Sequence, residues 1–263
     1  MKTVNIGSIE MNLVDRGSGT PLLLVHGFPL DHTMWNAQIE ALSADYRVIA
    51  PDLRGFGRSG SAGDEMTAME QFADDLAALL DALHVAQPIT FCGLSMGGYI
   101  AWEFFRRHRQ RLAALILCDT RAEADDREAA RGRRLMASRV MAEGVLAVPE
   151  AMLPKLLAPQ TFAEKPGLAE SLRQTILATS PASIAAAQRG MAARADSTAL
   201  LGQIDLPALV IVGEHDAIST AREMRKISDA IVGAQFVEVP QAGHLCPLEN
   251  PQVVSAAIAK FLG

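Results

Sequence analysis

The sequence predicts an α/β fold, a mostly parallel eight-stranded sheet with helices on both faces, and two observations carry that prediction. Short β-rich runs alternate with longer helical patterns along most of the chain. Several of these runs are apolar at nearly every position, as in LLLV, LILC and LVIV, which suits strands buried on both sides. In chain order, residues 3–6 and 9–14 flank Gly7-Ser8 and read as an antiparallel hairpin at the sheet edge. The runs at 21–25, 46–50, 88–92, 112–118, 208–212 and 236–239 supply six further strands. Helical spacing is clear at 71–81, after Ser95, and at 251–262, the last helix.

One interval breaks the alternation. Between Asp119 and Leu206 no strand is legible, only Ala-, Met- and Arg-rich helical pattern interrupted at Pro149, Pro154, Pro159, Pro166 and Pro181. The expectation is a helical cap at 120–206, inserted between the sixth and seventh strands of a core formed by 1–119 and 207–263. No internal repeat and no low-complexity linker divides the chain, so the cap belongs to one folding unit.

Composition narrows the function classes. With 263 residues, 49% apolar and 21% charged, the chain is ordinary globular material. A net charge of −6 argues against nucleic-acid binding, which needs a basic stripe. The basic clusters have local explanations: Arg106, Arg107, Arg109 and Arg111 end a helix, where cations suit the dipole, and Arg131, Arg133 and Arg134 share a mixed-sign, solvated face with Glu123, Asp125, Asp126 and Glu128. The N-terminal stretch has no apolar signal region, and no run approaches the roughly 18 apolar residues of a membrane span. A soluble, cytoplasmic protein is expected, without membrane partners. Cys92, Cys118 and Cys246 form no Cys-x-x-Cys pair and read as core thiols.

The chemistry centres on GLSMGG at 93–98, one serine in a glycine frame between a strand and a helix. Serine is a good helix N-cap, and the motif alone says little. With a strand before it and a helix after it, however, it matches the sharp elbow that lifts a serine hydroxyl above a sheet, Gly93 and Gly97 giving the room. A serine nucleophile needs a base oriented by a third group. Of six histidines, His84 and His108 lie in charged helical stretches, and His32, in DHTMW, borders a pocket at best. His244 leaves the last strand in the turn QAGH, at the carboxyl edge of the sheet, the edge that also carries Ser95. Asp216 ends ALVIVGEHD and is the candidate acid, while Asp119, closing LILCD one strand after the serine, is its rival. The order Ser, Asp, His favours Asp216. Asp52 leads into RGFGRSG, where it anchors the loop.

Taken together, HGFPLD at 26–31, PDLRGFGRSG at 51–60, GLSMGG, GEHD at 213–216 and AGHLCPLENP at 242–251 resemble the α/β-hydrolase fold enzymes, in the capped group of 3-oxoadipate enol-lactonases, aryl esterases and cofactor-free haloperoxidases. The resemblance spans nearly the whole chain. It implies a catalytic triad of Ser95, Asp216 and His244 and an oxyanion hole formed by the backbone N–H groups of Phe28 and Met96. Pro29 has no N–H and cannot replace Phe28 as donor. His26 is then structural, holding the loop, and Pro29 and Trp35 are the candidate substrate-pocket residues. Pro29 also resembles the proline of cofactor-free haloperoxidases and perhydrolases, which implies a side activity with peroxide as acyl acceptor.

The expected activity is hydrolysis of a small or medium carboxylic ester or lactone through an acyl-serine. Acyl transfer to another acceptor, or slow-turnover small-molecule binding on the same fold, are the alternatives. Gly55-Phe56-Gly57-Arg58-Ser59-Gly60 satisfies Gly-x-Gly-x-x-Gly, but SAGDE continues a loop where a dinucleotide site would open a helix. His215, Asp216 and His244 lack metal-site spacing. Neither cofactor nor metal is expected.

Overall fold

A computed structural model describes residues 1–61 and 63–263. The chain runs β1 (Lys2–Ile6), β2 (Ile9–Arg16), β3 (Pro21–Val25), α1 (Asn36–Leu42), β4 (Arg47–Pro51), α2 (Met69–Ala82), β5 (Ile89–Leu94), α3 (Met96–His108) and β6 (Leu112–Cys118). There follow six helices, α4 (Arg127–Glu143), α5 (Val148–Leu156), α6 (Pro159–Glu164), α7 (Pro166–Ala178), α8 (Pro181–Ala193) and α9 (Thr198–Leu201). The chain then returns to β7 (Ala208–Gly213), α10 (Ala221–Ala230), β8 (Gln235–Val239), α11 (Cys246–Glu249) and α12 (Pro251–Leu262).

The eight strands form one sheet in the order β1-β2-β4-β3-β5-β6-β7-β8. Only the β1–β2 and β2–β4 pairs are antiparallel. In β2 alternate residues Ile9, Met11 and Leu13 are buried, as expected of a strand with one solvated face. β3, β5 and β7 are buried at every position, which is why their sequences are continuous apolar runs. β5 extends two residues past its legible run because Gly93 and Leu94 still pair with Leu117 and Cys118 of β6.

Direction of travel sets the layers. The β3–β4 crossover runs one way along the sheet, and those from β4 to β5 and onward run the other way. Right-handed crossovers then put α1 on one face and α2, α3 and α10 on the other. Accordingly α1 packs with α12, and α2 with α3. Since β3 and β5 are neighbours whose chains leave to opposite faces, a crevice opens at their carboxyl ends. The chain segments after both strands meet there.

Four of the six prolines between β6 and β7 open helices: Pro149, Pro159, Pro166 and Pro181 each occupy a first-turn position, where the missing N–H costs nothing. Pro154 lies inside α5. α4 packs along α8, and α5 against α7.

Candidate active site

Ser95 forms the junction of β5 and α3 with φ 54° and ψ −109°, a region that side chains rarely adopt and that costs on the order of 1–3 kcal/mol. Surrounding bonds enforce it. The Ser95 N–H donates to Cys118 O (2.9 Å), while its carbonyl accepts from Gly98 N (2.9 Å), Tyr99 N (3.2 Å) and Thr120 Oγ1 (2.8 Å). The flanking glycines are sterically required: a Cβ on Gly93 would lie 2.4 Å from Gly97 O, and one on Gly97 would lie 2.5 Å from Val25 O. Among the described residues the Ser95 hydroxyl makes no capping bond to α3, and Ser95 is partly exposed within an otherwise buried stretch.

The segment after β3 reaches the same point, since a Cβ on Gly27 would lie 3.5 Å from Ser95 Cβ. His26, fully buried, fixes this segment. Its Nε2 accepts from Leu53 N (2.9 Å), so its proton is on Nδ1 and is donated to Gly27 O (2.9 Å). Burial depresses its pKa and keeps the ring neutral. Phe28 is buried, edge-on to Phe56. Met96 opens α3, so its N–H has no acceptor within the helix.

After β8, His244 Nδ1 donates to Asp216 Oδ2 at 2.9 Å, both groups being almost fully buried. This leaves Nε2 as the acceptor nitrogen. Asp216 is held in turn by Ile218 N (2.7 Å) and Ser219 N (3.1 Å) on Oδ1 and by Ser219 Oγ (2.9 Å) on Oδ2. Burial pushes the Asp216 carboxyl upward, but His244's charge and hydrogen bond together with the two amides outweigh it and hold the group below the ordinary carboxylate value. Ser219 was not singled out from sequence. The signal was there, because an Asp whose side chain caps the amides two and three residues on is an Asx turn.

Asp119 lies close by but is bonded elsewhere. Its Oδ1 accepts from Gly213 N (2.8 Å), and Cys246 Sγ donates to Oδ2 (2.9 Å). Burial, then the charge of Asp216, pushes its carboxyl well above the usual range. The structure thus brings Asp216, not Asp119, into hydrogen-bond contact with His244. Cys246 is more than filler, an outcome its Leu-Cys-Pro context does not reveal.

The other expected positions are placed as follows. Pro29 is buried, follows a cis peptide from Phe28, and its carbonyl accepts from Thr179 Oγ1 of the β6–β7 segment at 3.4 Å. Trp35 has no accessible surface and sits in the core, and its indole Nε1 has no hydrogen-bond partner among the described residues. His32 lines a cavity of about 320 Å³ with Asp52, Arg58, Thr175 and Thr179. Its Nδ1 donates to Asp52 (2.6 Å), which also accepts from His32 N and Arg58 N (2.9 Å each), making Asp52 the anchor of its loop. A neighbouring cavity of about 280 Å³ is walled by Leu30, Met34, Leu168, Leu172 and Leu248. Residues 55–60 form a loop, and the next helix opens only at Met69. His84 is exposed, and His108 pairs with Asp74 (2.8 Å). Arg107, Arg109 and Arg111 pair with Asp74, Asp205 and Asp81. Among the described residues no helix is long and apolar enough to cross a membrane.

The chain matches the family model of the alpha/beta hydrolase fold over residues 20–251. It superposes on a thermophilic esterase from Thermogutta terrifontis with TM-score 0.96 and 48% identity, covering 99% of this chain and 97% of that one. It is 29% identical to 3-oxoadipate enol-lactonase 1 of Acinetobacter baylyi over 84% of this chain and 80% of the relative. It is 34% identical to the dihydrolipoyllysine-residue acetyltransferase component of the acetoin cleaving system of Pseudomonas putida, spanning 93% of this chain but only 64% of that longer protein. It is also 26% identical to the "Putative non-heme bromoperoxidase BpoC" of Mycobacterium tuberculosis over 96% of this chain and 97% of that protein. With this match across most of its length and the topology above, the chain belongs to the alpha/beta hydrolase family.

Proposed function

We propose that the protein is a serine hydrolase of small or medium carboxylic esters or lactones. The observation that carries this reading is the Ser95 elbow: a strained serine whose hydroxyl caps nothing, held at the carboxyl edge that also bears the His244–Asp216 pair. His244 Nε2 takes the Ser95 proton as Oγ attacks the carbonyl carbon. The N–H groups of Phe28 and Met96 hold the oxyanion of the tetrahedral intermediate. Collapse breaks the bond to the leaving oxygen, which receives the proton from His244. A water deprotonated by His244 then attacks the acyl-serine, releasing the acid and restoring Ser95. Asp216 fixes the tautomer and offsets the charge on the imidazolium, and Ser219 fixes Asp216.

Residues 120–206 act as the cap and 1–119 with 207–263 as the catalytic core. Contacts at the rim support this division: Thr179 Oγ1 reaches Pro29 O, and Leu245 N donates to Leu156 O at 3.1 Å. Esterase and enol-lactonase relatives support an ester or lactone as the substrate class. The test is a panel of p-nitrophenyl esters of rising chain length and lactones of rising ring size, run with wild type and Ser95→Ala. Turnover should depend on Ser95 and peak within one size class. Equal turnover in the two proteins would overturn the reading.

A further inference from the structure

Glu249 is 3% exposed, and no cation pairs with it among the described residues. Instead its carboxylate collects three neutral donors from two separate parts of the chain. Oε2 accepts from Ala158 N (2.8 Å) and Thr161 Oγ1 (2.6 Å), both at the junction of α5 and α6. Oε1 accepts from Gly243 N (2.8 Å), the residue before His244. The residue after His244 is tied to the same junction, by the Leu245 N to Leu156 O bond. The packing there is close: a Cβ on Gly243 would lie 2.6 Å from Ala158 N and 2.9 Å from Leu157 C. Lys165 Nζ, just past α6, also donates to the Glu249 carbonyl.

Both neighbours of His244 are thus bonded either to Glu249 or directly to the α5–α6 junction. A carboxylate suits this place because both of its oxygens accept, whereas a carboxamide must turn an NH2 donor towards one of these donors. Leaving a buried donor unmatched is costly, so the junction and the histidine loop are held in one geometry.

We propose that Glu249 is a positioning residue that fixes the His244 imidazole, and so the catalytic base, against the α5–α6 junction. This rests on the reading of His244 as that base. A small displacement of a general base costs rate steeply while leaving substrate binding nearly intact. The test is kcat and KM for a p-nitrophenyl ester in wild type, Glu249→Gln, Thr161→Val and the double variant, each normalised to active sites titrated with a fluorophosphonate. Expected are a fall in kcat of about tenfold or more in Glu249→Gln and a smaller fall, about threefold, in Thr161→Val, with KM within about twofold in each. The double variant should be no worse than Glu249→Gln, because Thr161 acts through that carboxylate. Wild-type kcat per titrated site in both single variants, or additive losses in the double variant, overturns the proposal while leaving the hydrolase reading standing. A wild type that neither turns over esters nor titrates sinks that reading and this inference with it.

Discussion

Asp216 and Asp119 end neighbouring strands, yet only Asp216 accepts the Nδ1 proton of His244, at 2.9 Å. Asp119 is turned to Gly213 N and Cys246 Sγ, and burial raises its pKa. The surroundings therefore shift the two carboxyl groups of one buried cluster in opposite directions.

The first consequence is kinetic. Asp216→Asn should lower kcat by about three to four orders of magnitude with little change in KM, because the imidazole is left in the wrong tautomer. Asp119→Asn, which imitates a neutral carboxyl, should stay within about threefold of wild type. Steady-state ester hydrolysis checks the pair, and the reverse ranking would make Asp119 the triad acid.

Asp119 also gives a pH signature in stability. Its folded pKa is raised, by burial first and by the charge of Asp216 second. The folded chain keeps a proton that the unfolded chain releases above about pH 4, so stability falls as pH rises from that value towards the raised one. Asp119→Asn has no such proton to lose. Its Tm relative to wild type should therefore climb as pH rises from about 4 towards that raised value. A difference that stays constant across this range would mean that Asp119 is ionised in the folded protein.

The packing at the crevice is tested by Gly97→Ala. The added methyl meets backbone atoms, Val25 O at 2.5 Å and Val25 C at 3.1 Å, not the yielding tip of a side chain. A loss of about 1–3 kcal/mol in urea unfolding is expected. Ester turnover should fall as well, because the displaced strand end carries the Phe28 segment. Wild-type stability would show that α3 does not approach β3 this closely.

Cys92, Cys118 and Cys246 are free and fully buried. A hydrogen bond with Cys92 and then burial raise the Cys118 thiol, and burial above all raises that of Cys246. A thiol reagent such as DTNB should leave the native protein unlabelled and fully active, yet titrate all three thiols after denaturation. Rapid labelling of the native protein would contradict this burial.

The sheet was legible because strands buried on both faces must be apolar throughout, and LLLV, LILC and LVIV satisfy that without alternative. Ser95 and His244 were legible because each follows a recognisable strand and is framed by glycines that the turn requires. What stayed hidden was pairing across long sequence separations. Nothing local to Glu249 shows that Ala158 and Thr161 donate to it, and nothing in Cys246 points to Asp119. Nor does the sequence show that the turn at His32–Trp35 buries the Trp35 indole completely.

The most direct test of the serine mechanism is covalent labelling. A fluorophosphonate should add once per chain, and peptide mass spectrometry should find it on Ser95, with Ser95→Ala unlabelled and lower in ester turnover by about three orders of magnitude or more. Labelling of another serine, or a Ser95→Ala variant that hydrolyses esters at the wild-type rate, would contradict it.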